Sequence, residues 1–120
     1  MDTMIVAAAA LFFLGMGVLA LIRPAALVAP FGISLSGPEA RLEVCAVYGG
    51  FGIAVAGLLA VAALDPAAHR GELLAVAVAL FGMAGGRLLG RIRDRPGAFY
   101  PVWFYFWVEV VAGVLLLLAR

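Results

Sequence analysis

Four long apolar runs constrain this chain more than anything else in it. Crossing the hydrocarbon of a bilayer as a helix takes about 20 apolar residues. Residues 3–22, 38–64, 71–92 and 98–119 each reach that length. Within them the apolar residues are continuous and do not recur every three or four positions, which marks helices that are apolar all round and solvated by lipid. Backbone polar groups must be satisfied internally in lipid, so helix is the required form. Composition agrees: 67% of the residues are hydrophobic and 12% charged, against about 25% charged in soluble domains. The expected fold is all-α and integral to the membrane, one four-helix transmembrane domain over residues 1–120.

The breaks between the runs set the topology. Arg23-Pro24 stops the first. "SGPEAR" opens the second as a capping box, Ser36 capping and Glu39 reaching back, and Asp65-Pro66 ends it. Two connections, residues 65–70 and 93–97, are short. Short connections make consecutive helices antiparallel neighbours and predict an up-down-up-down bundle. The first connection, "RPAALVAPFGISLSG" (residues 23–37), is longer and still apolar, and Pro24 and Pro30 prevent one continuous helix. It is expected as an apolar surface loop, an interfacial segment or a re-entrant dip. The opening "MDTM" has an acid where a cleaved signal carries Lys or Arg, so the first run is read as a retained span.

All eight basic residues are Arg, and they are unevenly placed. Arg23, Arg41, Arg87, Arg91, Arg93 and Arg95 fall on the side of the first and third loops, while Arg70 and Arg120 fall on the other. The positive-inside rule then puts those loops in the cytoplasm and both termini outside. "FYPVWFYFW" (residues 99–107) becomes an aromatic belt at the cytoplasmic interface. Such asymmetry disfavours a dual-topology antiporter. "FLGMG" (13–17) echoes "LFGMAGG" (80–86), as a parallel helix repeat or as chance in a Gly- and Ala-rich chain.

Several chemistries are excluded. A net charge of +1 points to no nucleic-acid partner, and the single Cys45 rules out an internal disulfide or a CxxC pair. No His and Cys cluster offers metal ligands, so no metal is assigned. No GxSxG, phosphate-cradling Gly-rich loop or nucleophile with an adjacent base is present, so no cofactor and no catalytic residue is assigned. His69 is expected to be solvated in an external loop.

What remains is a polar cluster. Glu109 lies near the middle of the fourth run, where an ionisable side chain costs about 3 kcal/mol and persists only when paired or useful. At 100° per residue, Tyr105, Phe106, Glu109, Ala112 and Gly113 share a side of that helix, and the small residues should turn this side inward. Arg41, Cys45, Tyr48 and Gly52 share a face of the second helix, with Glu43 nearly opposite. Arg87 shares a face of the third with Leu80, Met83 and Ala84. The glycines of "YGGFG" and "GMAGG" are read as packing surfaces. Glu109 is expected to pair with Arg87 or Arg41, locking helices together, or to bind a ligand or proton, or to meet a second chain. Tyr48 is a core hydroxyl bonded to Glu109 or a ligand donor. Arg41, Glu43, Tyr48, Arg87 and Glu109 form the candidate site, with Trp103, Tyr105 and Phe106 as aromatic lining. Arg91, Arg93 and Arg95 are read as topology anchors touching anionic headgroups.

"ARLEVCAVYGGFGIAVAGLL" (40–59), "GMAGGRLLGRIRDRP" (82–96) and the late Glu109 together resemble a small bacterial membrane family catalogued as domain of unknown function 4345, a relative of DoxX-like four-helix proteins. The resemblance runs from about Phe12 to the C-terminus and rests on Arg41, Tyr48-Gly49-Gly50, Gly86-Arg87 and Glu109. It implies a four-helix inner-membrane fold and brings no activity with it. The functional expectation rests on the residues: a non-enzymatic protein holding a small amphipathic or lipid-like ligand in the polar cluster, with membrane lipids as surroundings. The alternatives are a homo-oligomer or accessory subunit of a larger membrane complex, and proton-coupled solute transport through Glu109. A carbocation-handling isomerase using Trp103 or Tyr105 with Glu109 lacks a general acid-base histidine in the membrane.

Overall fold

A computed structural model describes all of residues 1–120, and every regular element in it is helical. Helix α1 is Asp2–Ile22, α2 is the short Pro24–Val28, α3 is Pro38–Leu64, α4 is Arg70–Gly90 and α5 is Val102–Ala119. A 3₁₀ turn, Ala29–Phe31, follows α2, and another, Pro66–His69, leads into α4. α1, α3, α4 with its leading turn, and α5 are each long and apolar enough to cross a membrane. At 1.5 Å per residue, α1 is about 31 Å long, close to the ~30 Å hydrocarbon core. No span has more than 28% of its apolar window buried inside the molecule. Most of the apolar surface therefore faces outward, as lipid solvation requires.

Helix ends differ from expectation where proline and glycine act. α5 begins at Val102 and not at residue 98, because Pro101 cannot donate a backbone hydrogen bond and instead occupies the N-cap. α4 ends at Gly90, and residues 91–93 form a turn. The capping box at the start of α3 does not form: Gly37 is the N-cap, with no side-chain cap bond, and Pro38 supplies the pre-set first helical position.

α1 lies along α3 and α4 along α5. The first pairing is backbone against backbone. A Cβ on Gly17 would sit 2.8 Å from the Gly49 carbonyl oxygen and 2.9 Å from the Ile53 nitrogen, so only glycine permits this approach. In the second, Gly113 makes room for the Phe81 ring, which a Cβ would meet at 2.6 Å. "YGGFG" thus packs through Gly49 and Gly52. "GMAGG" does not: Gly82, Gly85 and Gly86 face open space, because the inward stripe of α4 runs through Leu73, Val76, Ala77, Leu80 and Ala84. The main core joins Val6, Phe13, Leu59, Leu73, Leu80 and Leu116 from all four spans.

One irregularity redirects α3. Residues Cys45–Gly50 are wound as a π-helix, which takes one residue more per turn. The buried positions of α3 accordingly step from Val44 to Gly49, then resume α spacing through Gly52, Ala56 and Leu59. Counting back from Gly52 at α spacing would have placed Tyr48 and Arg41 against α1. The π turn puts Gly49 there instead and rotates both polar residues outward.

Candidate functional site

Arg87 extends the inward stripe of α4 by one more turn beyond Ala84, and Glu109 occupies the same stripe on α5 as Gly113 and Leu116. The two side chains meet where the helices adjoin. Arg87 Nε donates to Glu109 Oε1 at 2.9 Å and Nη2 donates to Oε2 at 3.0 Å, a bidentate pair. The Glu109 side chain is 4% exposed and that of Arg87 23%. Away from water such a pair fixes the relative rotation of α4 and α5, since only one geometry satisfies both bonds.

Aromatic rings cover the guanidinium. Its Cζ lies 5.6 Å from the centroid of Phe31 and 6.0 Å from that of Tyr105, and the two rings lie 5.6 Å apart, tilted at 33°. Both distances fall within cation–π range. Phe31 arrives from the 3₁₀ turn after α2, which ends on Gly32 in the left-handed region at φ 74°. Glycine takes that conformation without steric cost, and the turn holds Phe31 half-buried over Arg87. Residues 23–37 therefore do more than skirt the surface. Val28 is buried with Ala20 and Val44, which anchors the segment against α1 and α3.

Arg87 Nη1 has no protein acceptor, yet no buried polar side-chain atom is left unpaired. Nη1 is therefore not fully enclosed, and its N–H donors have no acceptor in the chain, at the edge of a charge-balanced group. That edge can hold an anionic or strongly accepting oxygen without disturbing the Glu109 bonds.

The expected cluster is only partly assembled. Arg87 and Glu109 come together, and Tyr105 joins them. Arg41, Glu43 and Tyr48 do not: all three are exposed on α3, without a side-chain hydrogen bond or ion pair to Glu109. The π turn is the reason for Tyr48 and Arg41; Glu43 already pointed away on helical spacing. Trp103 and Phe106 pack on each other edge to face at 5.5 Å, and the rings over the guanidinium are those of Phe31 and Tyr105. Phe31 was not among the sequence candidates. Its only advance signal was an apolar loop punctuated by Pro30 and Gly32, one of whose readings was a dip back into the bundle.

A family model described as domain of unknown function DUF4345 matches residues 1–120. The chain belongs to this family. The DUF4345 match includes α1 from its first residue, further toward the N-terminus than the resemblance from Phe12 onward. No curated protein and no solved structure matched the chain. Membership brings the DUF4345 chain no reaction or ligand, so function has to be argued from the Arg87 site itself.

Proposed function

We propose that this chain is a multi-pass protein of a bacterial cytoplasmic membrane that binds a small anionic amphiphile, its polar end on Arg87. The carrying observation is the open Nη1 edge of a guanidinium otherwise held by Glu109 and covered by Phe31 and Tyr105. The pairing orients the guanidinium in advance, and the two rings shield one side of it from water, which strengthens any charge-assisted bond made at the edge. Phe31, on a separate segment, acts as the cover. The arginine distribution supports a cytoplasmic opening.

The test uses a double substitution, Arg87→Met with Glu109→Leu. Replacing both members of a buried ion pair by apolar residues of similar volume is often neutral for stability. The bundle is therefore expected to survive while losing its amphiphile. Protein purified in mild detergent would be extracted and its co-purified anionic amphiphiles quantified by mass spectrometry against wild type. An unchanged amphiphile profile in a folded double variant would refute the reading.

A second reading, a subunit of a larger membrane assembly, has its own support. Tyr48 is 38% exposed partway along a span, and its hydroxyl has no partner in the chain. A neighbouring membrane chain offers an acceptor that lipid tails do not. A photo-crosslinker at position 48 should capture a discrete protein band from native membranes, and labelled lipid alone would count against it. Proton-coupled transport through Glu109 is less supported, because both carboxylate oxygens accept from Arg87.

A further inference from the structure

The side where α1 faces α5 is open. A groove of about 910 Å³ runs between them, lined only by hydrophobic residues, toward the top of the ~300–1,000 Å³ range of small-molecule sites. α1 contributes Met4, Ala8 and Phe12; α5 and the turn before it contribute Phe99, Trp107 and Val111. Neither Arg87 nor Glu109 lines it, so this groove is separate from the site above, and nothing said of it rests on the proposal for Arg87. An entirely apolar trough on the outer face of membrane-spanning helices suits extended acyl chains.

Charge singles out which lipid. Phe99 lines one end of the groove and follows Arg95 by four residues, so their Cα atoms lie within about 14 Å. Arg91 and Arg95 are exposed and make no ion pair; Arg93 alone is matched, by Asp94 at 3.1 Å. Unpaired Arg95 thus stands within reach of the aromatic end of an apolar channel, and unpaired Arg91 precedes it by four residues. A zwitterionic lipid brings the same chains with no net charge to meet them. We propose that the α1–α5 groove binds an anionic phospholipid, its acyl chains between the helices and its phosphate against Arg91 and Arg95. A juxtamembrane arginine favours an anionic lipid by roughly five-fold, so two favour it by roughly 30-fold at low salt.

Trp107 reports on occupancy from within the groove. Trp103→Phe leaves it as the sole tryptophan of the two in the chain. The full chain is reconstituted in phosphatidylcholine vesicles carrying a small, equal fraction of brominated phosphatidylglycerol or brominated phosphatidylcholine, and Trp107 quenching is compared. Brominated phosphatidylglycerol should quench several-fold more effectively. Arg91→Gln with Arg95→Gln should abolish that excess, and Ala8→Phe, which fills the groove from an exposed position, should reduce quenching by both lipids. Circular dichroism verifies that each variant is folded. Equal quenching by the two headgroups overturns the proposal, as does an excess that survives the arginine substitutions. Quenching that Ala8→Phe leaves unchanged places the lipid elsewhere and overturns it too. Because Arg87 is untouched throughout, these outcomes leave the amphiphile reading of that residue to its own test.

Discussion

Replacing Arg87 by Met leaves the Glu109 carboxylate without its partner at a position where only 4% of the side chain is exposed. Stranding one member of a buried ion pair costs about 3–5 kcal/mol, and an unpaired charge in mid-span costs about 2.5–3.5 kcal/mol on insertion scales. Loss of the cation–π contacts to Phe31 and Tyr105 adds about 1 kcal/mol. The complementary change, Glu109→Leu, strands a guanidinium that is 23% exposed. Its long stem lets the charge move toward the interface, so the cost drops to about 1–3 kcal/mol. Independent effects would put the double variant at about 5–9 kcal/mol below wild type. If pairing is the cause, the double variant removes both charges together and falls within about 1 kcal/mol of wild type. Unfolding in mixed micelles of mild detergent and dodecyl sulfate, followed by circular dichroism and tryptophan fluorescence, measures all four corners of this cycle. Additive losses would refute the argument. So would a cost for Glu109→Leu above that for Arg87→Met.

Two other predictions concern packing and orientation. Gly17→Ala should destabilise by about 1–3 kcal/mol, because the new methyl meets backbone atoms of α3 that cannot step aside; Gly15→Ala, with nothing within 4 Å, should be neutral or stabilising by about 0.5–1 kcal/mol in the same unfolding assay. In a Cys45→Ser background, Ala68→Cys should react with a membrane-impermeant thiol reagent in intact cells, whereas Asp94→Cys should react only after permeabilisation. The reverse labelling would invert the proposed orientation.

Hydropathy alone located the four spans, because lipid solvation is a property of runs and not of tertiary context. The Arg87–Glu109 pair was partly legible for a related reason: a charge in mid-span must find its opposite, and few arginines were at hand. Choosing Arg87 over Arg41 was not legible, since it depends on the phase of α3, which a uniform 100° step misjudges across residues 45–50. Phe31 lay beyond helical periodicity altogether. Its placement follows from the short helix α2 and its 3₁₀ turn packing back through Val28 onto Ala20 and Val44, a long-range contact with no local sequence signature. Pro101 was visible, yet its effect on where α5 starts was underestimated.

The single surplus residue in Cys45–Gly50 reconciles two incompatible demands on one rod. Beyond it, toward Leu64, the helix must show α1 a flank that opens on the small residues Gly52 and Ala56. Before it, the opening turns carry Arg41, which belongs among headgroups and would wedge the helices apart if it kept the same azimuth. The extra residue works like an offset coupling in a shaft: each half keeps the heading its own surroundings need, and neither has to bend.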